Sequence, residues 1–147
     1  MPNLQTYHDN KNIYSVDMMI AYINRYEHPV VKLPIEEFSS QLKMNVWGNW
    51  SPMDVIEKPH LKKYKSDVER IKHADLAFPV FVTAKHHIVD GFHRIAKAHI
   101  EHKQYVVAYV FNSELMKKFI IDKDMNFVKV HQKTSVSDVL ELWSKRF

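Results

Sequence analysis

The sequence predicts a mixed α/β domain (α+β in the broad sense), a small mixed sheet flanked by helices, and three observations carry the prediction. Short runs rich in β-branched and aromatic residues, such as Tyr105–Phe111, alternate with stretches whose apolar residues recur at helical spacing. No internal repeat and no linker rich in Gly, Pro or Ser interrupts the chain, so residues 1–147 read as a single domain. With 46% hydrophobic residues, a chain of 147 can bury roughly 70% of its unfolded surface without metals or disulfides.

The elements follow in order. Val16, Met19, Ile20 and Ile23 set a helix over 15–25, and Pro29-Val30-Val31-Lys32-Leu33 reads as a strand. Pro34 opens a polar turn through Phe38, and residues 43–59 read as irregular, with Trp47, Gly48, Trp50, Pro52 and Pro59. Leu61, Tyr64, Val68 and Ile71 share one face of a helix over 60–73. Pro79-Val80-Phe81-Val82 is apolar at successive positions, the pattern of a strand covered on both faces, and His87-Ile88-Val89 supplies the second arm of a hairpin. A helix from Phe92 to His102 follows, with Asp90 as its expected N-cap. After the Tyr105–Phe111 strand, Asn112-Ser113 caps a helix reaching Ile121, and residues 126–130 read as a strand. Ser135 and Asp138 make a capping-box pattern ahead of a closing helix striped with Val136, Val139, Leu140 and Trp143.

Composition narrows the functions. The absence of cysteine removes thiol nucleophiles, disulfides, Cys-ligated zinc and iron–sulfur clusters together. With Gly48 and Gly91 the only glycines, a glycine-rich phosphate loop is excluded. No His-x-x-x-His pair or three-ligand cluster emerges from the ten histidines, so no metal site is expected. No apolar run approaches the ~20 residues of a membrane helix, and Met1–Gln5 lacks a signal-peptide start, so a cytoplasmic protein without a membrane partner is expected. A formal charge of +4 permits an anionic ligand without demanding nucleic acid.

The chemistry concentrates in Ile88-Val89-Asp90-Gly91-Phe92-His93-Arg94. A strand ends, one glycine turns the backbone, and a helix begins with bare amides and a partial positive charge that attract phosphate or carboxylate. His93, Arg94, Lys97 and Glu101 fall opposite Phe92, Ile95, Ala96 and His99 on the helix wheel. That leaves a basic face free for an anion, or equally an ordinary solvated face. In the preceding loop, Trp50 is the tryptophan best placed to stack on a base, while at least one tryptophan there anchors the loop to the core.

Residues 79–111 resemble the core of the ParB/sulfiredoxin-like superfamily: apolar strand, short hairpin strand, Asp-Gly-x-His-Arg at the helix start, then another strand. Including weaker upstream likeness, the resemblance covers about 30–111, leaving 112–147 as a C-terminal helical extension. Phe92 stands where sulfiredoxins carry their catalytic cysteine, which rules that activity out. Partition proteins of the ParB type read Gly-Glu-Arg-Arg and need a DNA-reading helix that residues after 111 do not supply. The nearest string, Asp-Gly-His-His-Arg, is that of the free-serine kinases. The resemblance implies nucleotide-phosphate binding by Asp90, Gly91, His93 and Arg94, with ATP or ADP (CTP as an alternative) and Mg²⁺. It further implies phosphotransfer to a small hydroxylated substrate, with Asp54 of Ser51-Pro52-Met53-Asp54 as the catalytic acid and Glu57, one turn on, in reserve. Two other functions stay open. One is a nucleic-acid-binding or nuclease-like accessory protein that uses the same turn for backbone phosphate, helped by the lysines at 58, 62, 63 and 65 and at 117, 118 and 123, and the other is a non-enzymatic nucleotide sensor.

Overall fold

The computed structural model describes residues 4–122 and 135–147. In chain order the elements are β1 (Thr6–His8), β2 (Ile13–Ser15), α1 (Val16–Arg25), β3 (Val30–Pro34), α2 (Pro52–Glu57), α3 (Lys65–His73), β4 (Val80–Thr83) and β5 (Ile88–Asp90). They continue with α4 (Phe92–Ile100), β6 (Tyr105–Phe111), α5 (Ser113–Lys117), β7 (Ile120–Asp122) and α6 (Val136–Arg146). The mixed α+β class holds, with a three-stranded and a four-stranded sheet flanked by helices. The chain divides into two compact units: Pro29–Val110, and Met1–His28 together with Phe111–Phe147. The strand expected over 126–130 lies outside the described residues.

In the unit that joins the two ends of the chain, β1 and β7 flank β2, both antiparallel to it. Ser15 ends β2 and caps α1, its hydroxyl accepting the Met18 amide. The residues beyond Phe111, expected as a helical extension, contain a strand as well as helices. α5 stops at Lys117, short of the expected Ile121, because Ile120–Asp122 is drawn into pairing with β2. Arg146, near the end of α6, donates to the Lys118 and Ile120 carbonyls. The capping box of Ser135 and Asp138 is present as read. Among the described residues no helix is long and apolar enough to cross a membrane.

The Pro29–Val110 unit carries the sheet ordered β3-β6-β4-β5. Val80 and Val82 are fully buried and Phe81 nearly so, which is why β4 reads as a continuous apolar run. Its hairpin partner β5 is an edge strand, guarded by one side chain. The Gln41 amide donates to the His86 carbonyl at 2.9 Å and accepts the Ile88 amide at 2.8 Å. Ile95, Ala96 and Ala98 of α4 join Phe38, Leu42, Val55 and Ile71 in the core.

Three local readings are corrected. The stretch 43–59 holds a helix, α2, opened by a capping box between Ser51 and Asp54 with Pro52 in its first turn. The N-cap of α4 is Gly91, and Asp90 is instead the last residue of β5. The basic face of α4 is also not free. Lys97 crosses to α3 and donates to the Lys72 and Ala74 carbonyls at 3.0 and 2.7 Å, neutralising the negative end of that helix. Sequence periodicity assigns this face to ligand or solvent, whereas it is largely the seam between α3 and α4.

Candidate functional site

Gly91 makes the site's geometry. Its φ of +121° suits glycine, and it turns the end of β5 directly into α4. No side chain caps the first turn of α4, so its leading amides depend on water or a ligand. This corner opens on a cleft of about 700 Å³, lined by Trp47, Arg70, Asp75, Phe78, His93 and Arg94 among others.

Of the residues singled out from the sequence, Asp90, Gly91, His93 and Arg94 all line this cleft. Arg94 does so while engaged within the protein. Its guanidinium meets Asp90 at 2.7 Å and donates to the Pro79 carbonyl at 2.8 Å and the Phe78 carbonyl at 3.3 Å. Those bonds use at most three of its five donors. Its main visible work is to tie the entry of β4 to the end of β5.

Asp54, Glu57 and Trp50 are not among the cleft-lining residues. The Asp54 carboxylate accepts the Ser51 amide at 2.9 Å, so it closes the capping box of α2. Glu57 stands exposed at the end of the same helix. The two tryptophans exchange their expected parts. Trp50 is the anchor, edge-on to Tyr64 with its indole N–H donated to Asp67 at 2.9 Å. Trp47 is the one that reaches the cleft, stacked on the His93 ring at 4.2 Å between centroids and 13° between planes.

Two functional candidates escape sequence reasoning. Asp67 reads as part of a solvated face amid lysines, yet its side chain is only 13% exposed and links α3 to the cleft. One oxygen accepts from Trp50 and the other faces His93 Nε2 at 3.1 Å. The only signal in the chain is an acid in the first turn of a lysine-rich helix. Arg70, one turn further along α3, is exposed on the cleft and has no hydrogen-bond partner among the described residues. The lysines at 58, 62, 63 and 65 are exposed and do not line the cleft.

Burial pushes the His93 pKa below its ordinary 6.5, with Arg70 acting in the same direction, against the pull of Asp67 and Asp90. The folded protein therefore holds His93 neutral where the unfolded chain would protonate it. The unfolded state binds more protons in that window, so stability is full above pH 6.5 and is lost as pH falls through the lowered folded value. Urea midpoints measured between pH 8 and pH 5 are expected to fall on acidification, with a smaller fall in His93→Asn. Equal slopes in the two proteins would contradict the assignment to His93.

Comparison of the chain with protein-family models, with curated proteins and with solved structures returned no match.

Proposed function

We propose that the cleft at the start of α4 binds the phosphates of a nucleotide. The observation that carries this is a juxtaposition. The uncapped first turn of α4, the exposed Arg70 guanidinium and the aromatic rings of Trp47 and Phe78 all line one cleft. Amides and a guanidinium suit phosphate oxygens, and aromatic walls suit a base. Phe78 is 66% exposed, so its ring is accessible from the cleft. The likeness of Asp90-Gly91-Phe92-His93-Arg94 to the free-serine kinases points the same way, and ATP or ADP with Mg²⁺ are the ligands to try first. Among the described residues no three metal-ligating side chains gather, so a magnesium ion would be carried largely by the phosphates. Phosphotransfer to a small hydroxyl compound extends this proposal. With Asp54 in a cap and Glu57 outside the cleft lining, that chemistry needs another proton acceptor.

The test is titration with ADP and with inorganic pyrophosphate, followed by tryptophan fluorescence and calorimetry. Both ligands are expected to bind, and Arg70→Ala is expected to weaken each roughly tenfold, the loss of about one charge-assisted hydrogen bond. Absence of binding at millimolar concentration, or affinity indifferent to Arg70→Ala, would refute the pocket. A nucleic-acid role would instead show affinity for single strands that falls steeply with salt and follows the exposed lysines.

A further inference from the structure

We propose that His93 is the proton acceptor of this cleft and Asp67 its positioning residue, together activating a hydroxyl group or water beside a bound nucleoside triphosphate. The proposal rests on the nucleotide-binding reading and adds to it the group that moves a proton.

The Trp50 side chain sets the hydrogen-bond directions around Asp67. An indole N–H can only donate, so its 2.9 Å contact fixes one Asp67 oxygen as an acceptor. The other oxygen of the carboxylate likewise accepts, and what it faces at 3.1 Å is His93 Nε2. The proton of the neutral imidazole therefore sits on Nε2, and Nδ1 keeps its lone pair. Among the described residues Nδ1 has no hydrogen-bond partner. The face of the ring is fixed as well, by the parallel indole of Trp47. Tautomer and orientation are thus both imposed on α4 from outside it, by α3 and by the loop before α2. The same chain of carboxylate, imidazole and free ring nitrogen lets histidine act as a general base in unrelated hydrolases. The groups acting on the ring are Asp67 and Arg70 from α3 and Asp90 from β5, and burial keeps it neutral and ready to accept.

The step balances with two co-reactants, a nucleoside triphosphate and a hydroxyl compound or water. Nδ1 takes the hydroxyl proton as the oxygen bonds to the terminal phosphorus. The bond from that phosphorus to the bridging oxygen breaks, and the nucleoside diphosphate leaves with the electron pair. The imidazolium, its Nε2–H still directed at Asp67, returns the extra proton to water.

Asp67→Asn gives a result that a merely structural pair would not. In that variant Trp50 still requires an acceptor, so it holds the carbonyl oxygen of the new side-chain amide, which turns the NH₂ group toward His93. Nε2 must then accept, and the proton moves to Nδ1. Two-bond ¹H–¹⁵N spectra are expected to show Nδ1 unprotonated in the native protein and protonated in Asp67→Asn. ADP formation from ATP with Mg²⁺, in water alone and with glycerol or serine as trial acceptors, is expected to fall on the order of 10²-fold or more in Asp67→Asn and in His93→Gln. ADP affinity in Asp67→Asn is expected to stay within about threefold of native. A native protein that binds ADP but forms none from ATP with any of these acceptors overturns the role of His93 and leaves the binding reading standing. An exchanged tautomer with unchanged turnover overturns it too. If Asp67→Asn does not fold, full turnover in a folded His93→Gln protein does the same. Failure to bind ADP removes the nucleotide reading itself.

Discussion

Replacing Gly91 with alanine is expected to destabilise the Pro29–Val110 unit by about 3 kcal/mol, from backbone strain and overpacking together. At φ +121° a residue with a Cβ is strained wherever it sits. Here the added carbon would also lie 2.6 Å from Val80 Cγ1 and 2.8 Å from Val80 Cβ, and Val80 is fully buried in β4 with nowhere to retreat. Gly48 is the internal control. Its φ is +80°, yet a Cβ there meets nothing within 4 Å, so Gly48→Ala should cost only the conformational part, on the order of 1 kcal/mol. Urea unfolding of both variants separates the two effects. Equal losses would show that the approach of Gly91 to Val80 is not what requires glycine.

Arg94→Ala is the second large effect, about 2 kcal/mol of stability. The variant leaves the part-buried Pro79 carbonyl without its donor, and the Asp90 carboxylate without its 2.7 Å partner. The ion-pair share is modest, because the Asp90 side chain is 40% exposed and solvent screens it. Lysine keeps the charge but lacks the forked geometry that reaches two carbonyls and a carboxylate at once, so Arg94→Lys should recover less than half of the loss. Full stability in Arg94→Ala, measured by urea unfolding, would overturn this structural role. The consequence for binding studies is direct. A weakened ligand in Arg94→Ala can reflect a loosened corner as well as a lost contact, which makes Arg70→Ala the cleaner probe of the cleft.

What is legible in the sequence is whatever is decided within a few residues. The unbroken apolar run of Val80-Phe81-Val82, the buried stripe of Ile95 and Ala96, and the caps at Asn112 and Ser135 are local signals, and each is found in the structure. Strands of three residues, β1 and β2, are too short to display alternation and escape a reading by pattern. The Ser51–Asp54 capping box is present in the sequence, but the six-residue helix that it opens is too brief to show a period. At the cleft, the tight turn at Gly91 is legible because glycine is scarce. The partners of the basic residues are not. His93 finds Asp67, Lys97 finds the end of α3, and Arg94 finds Phe78 and Pro79, all across spans that no periodicity links. A cation on a helix wheel reads the same whether it faces water or the carbonyl end of a neighbour.

The Pro29–Val110 unit is inserted into the other one, and its two ends are register neighbours, Val30 lying opposite Tyr109. Strand β2 meets β7 only after the whole insertion has been synthesised. On the ribosome, the cleft-bearing segment therefore emerges complete while its host still awaits its last strand.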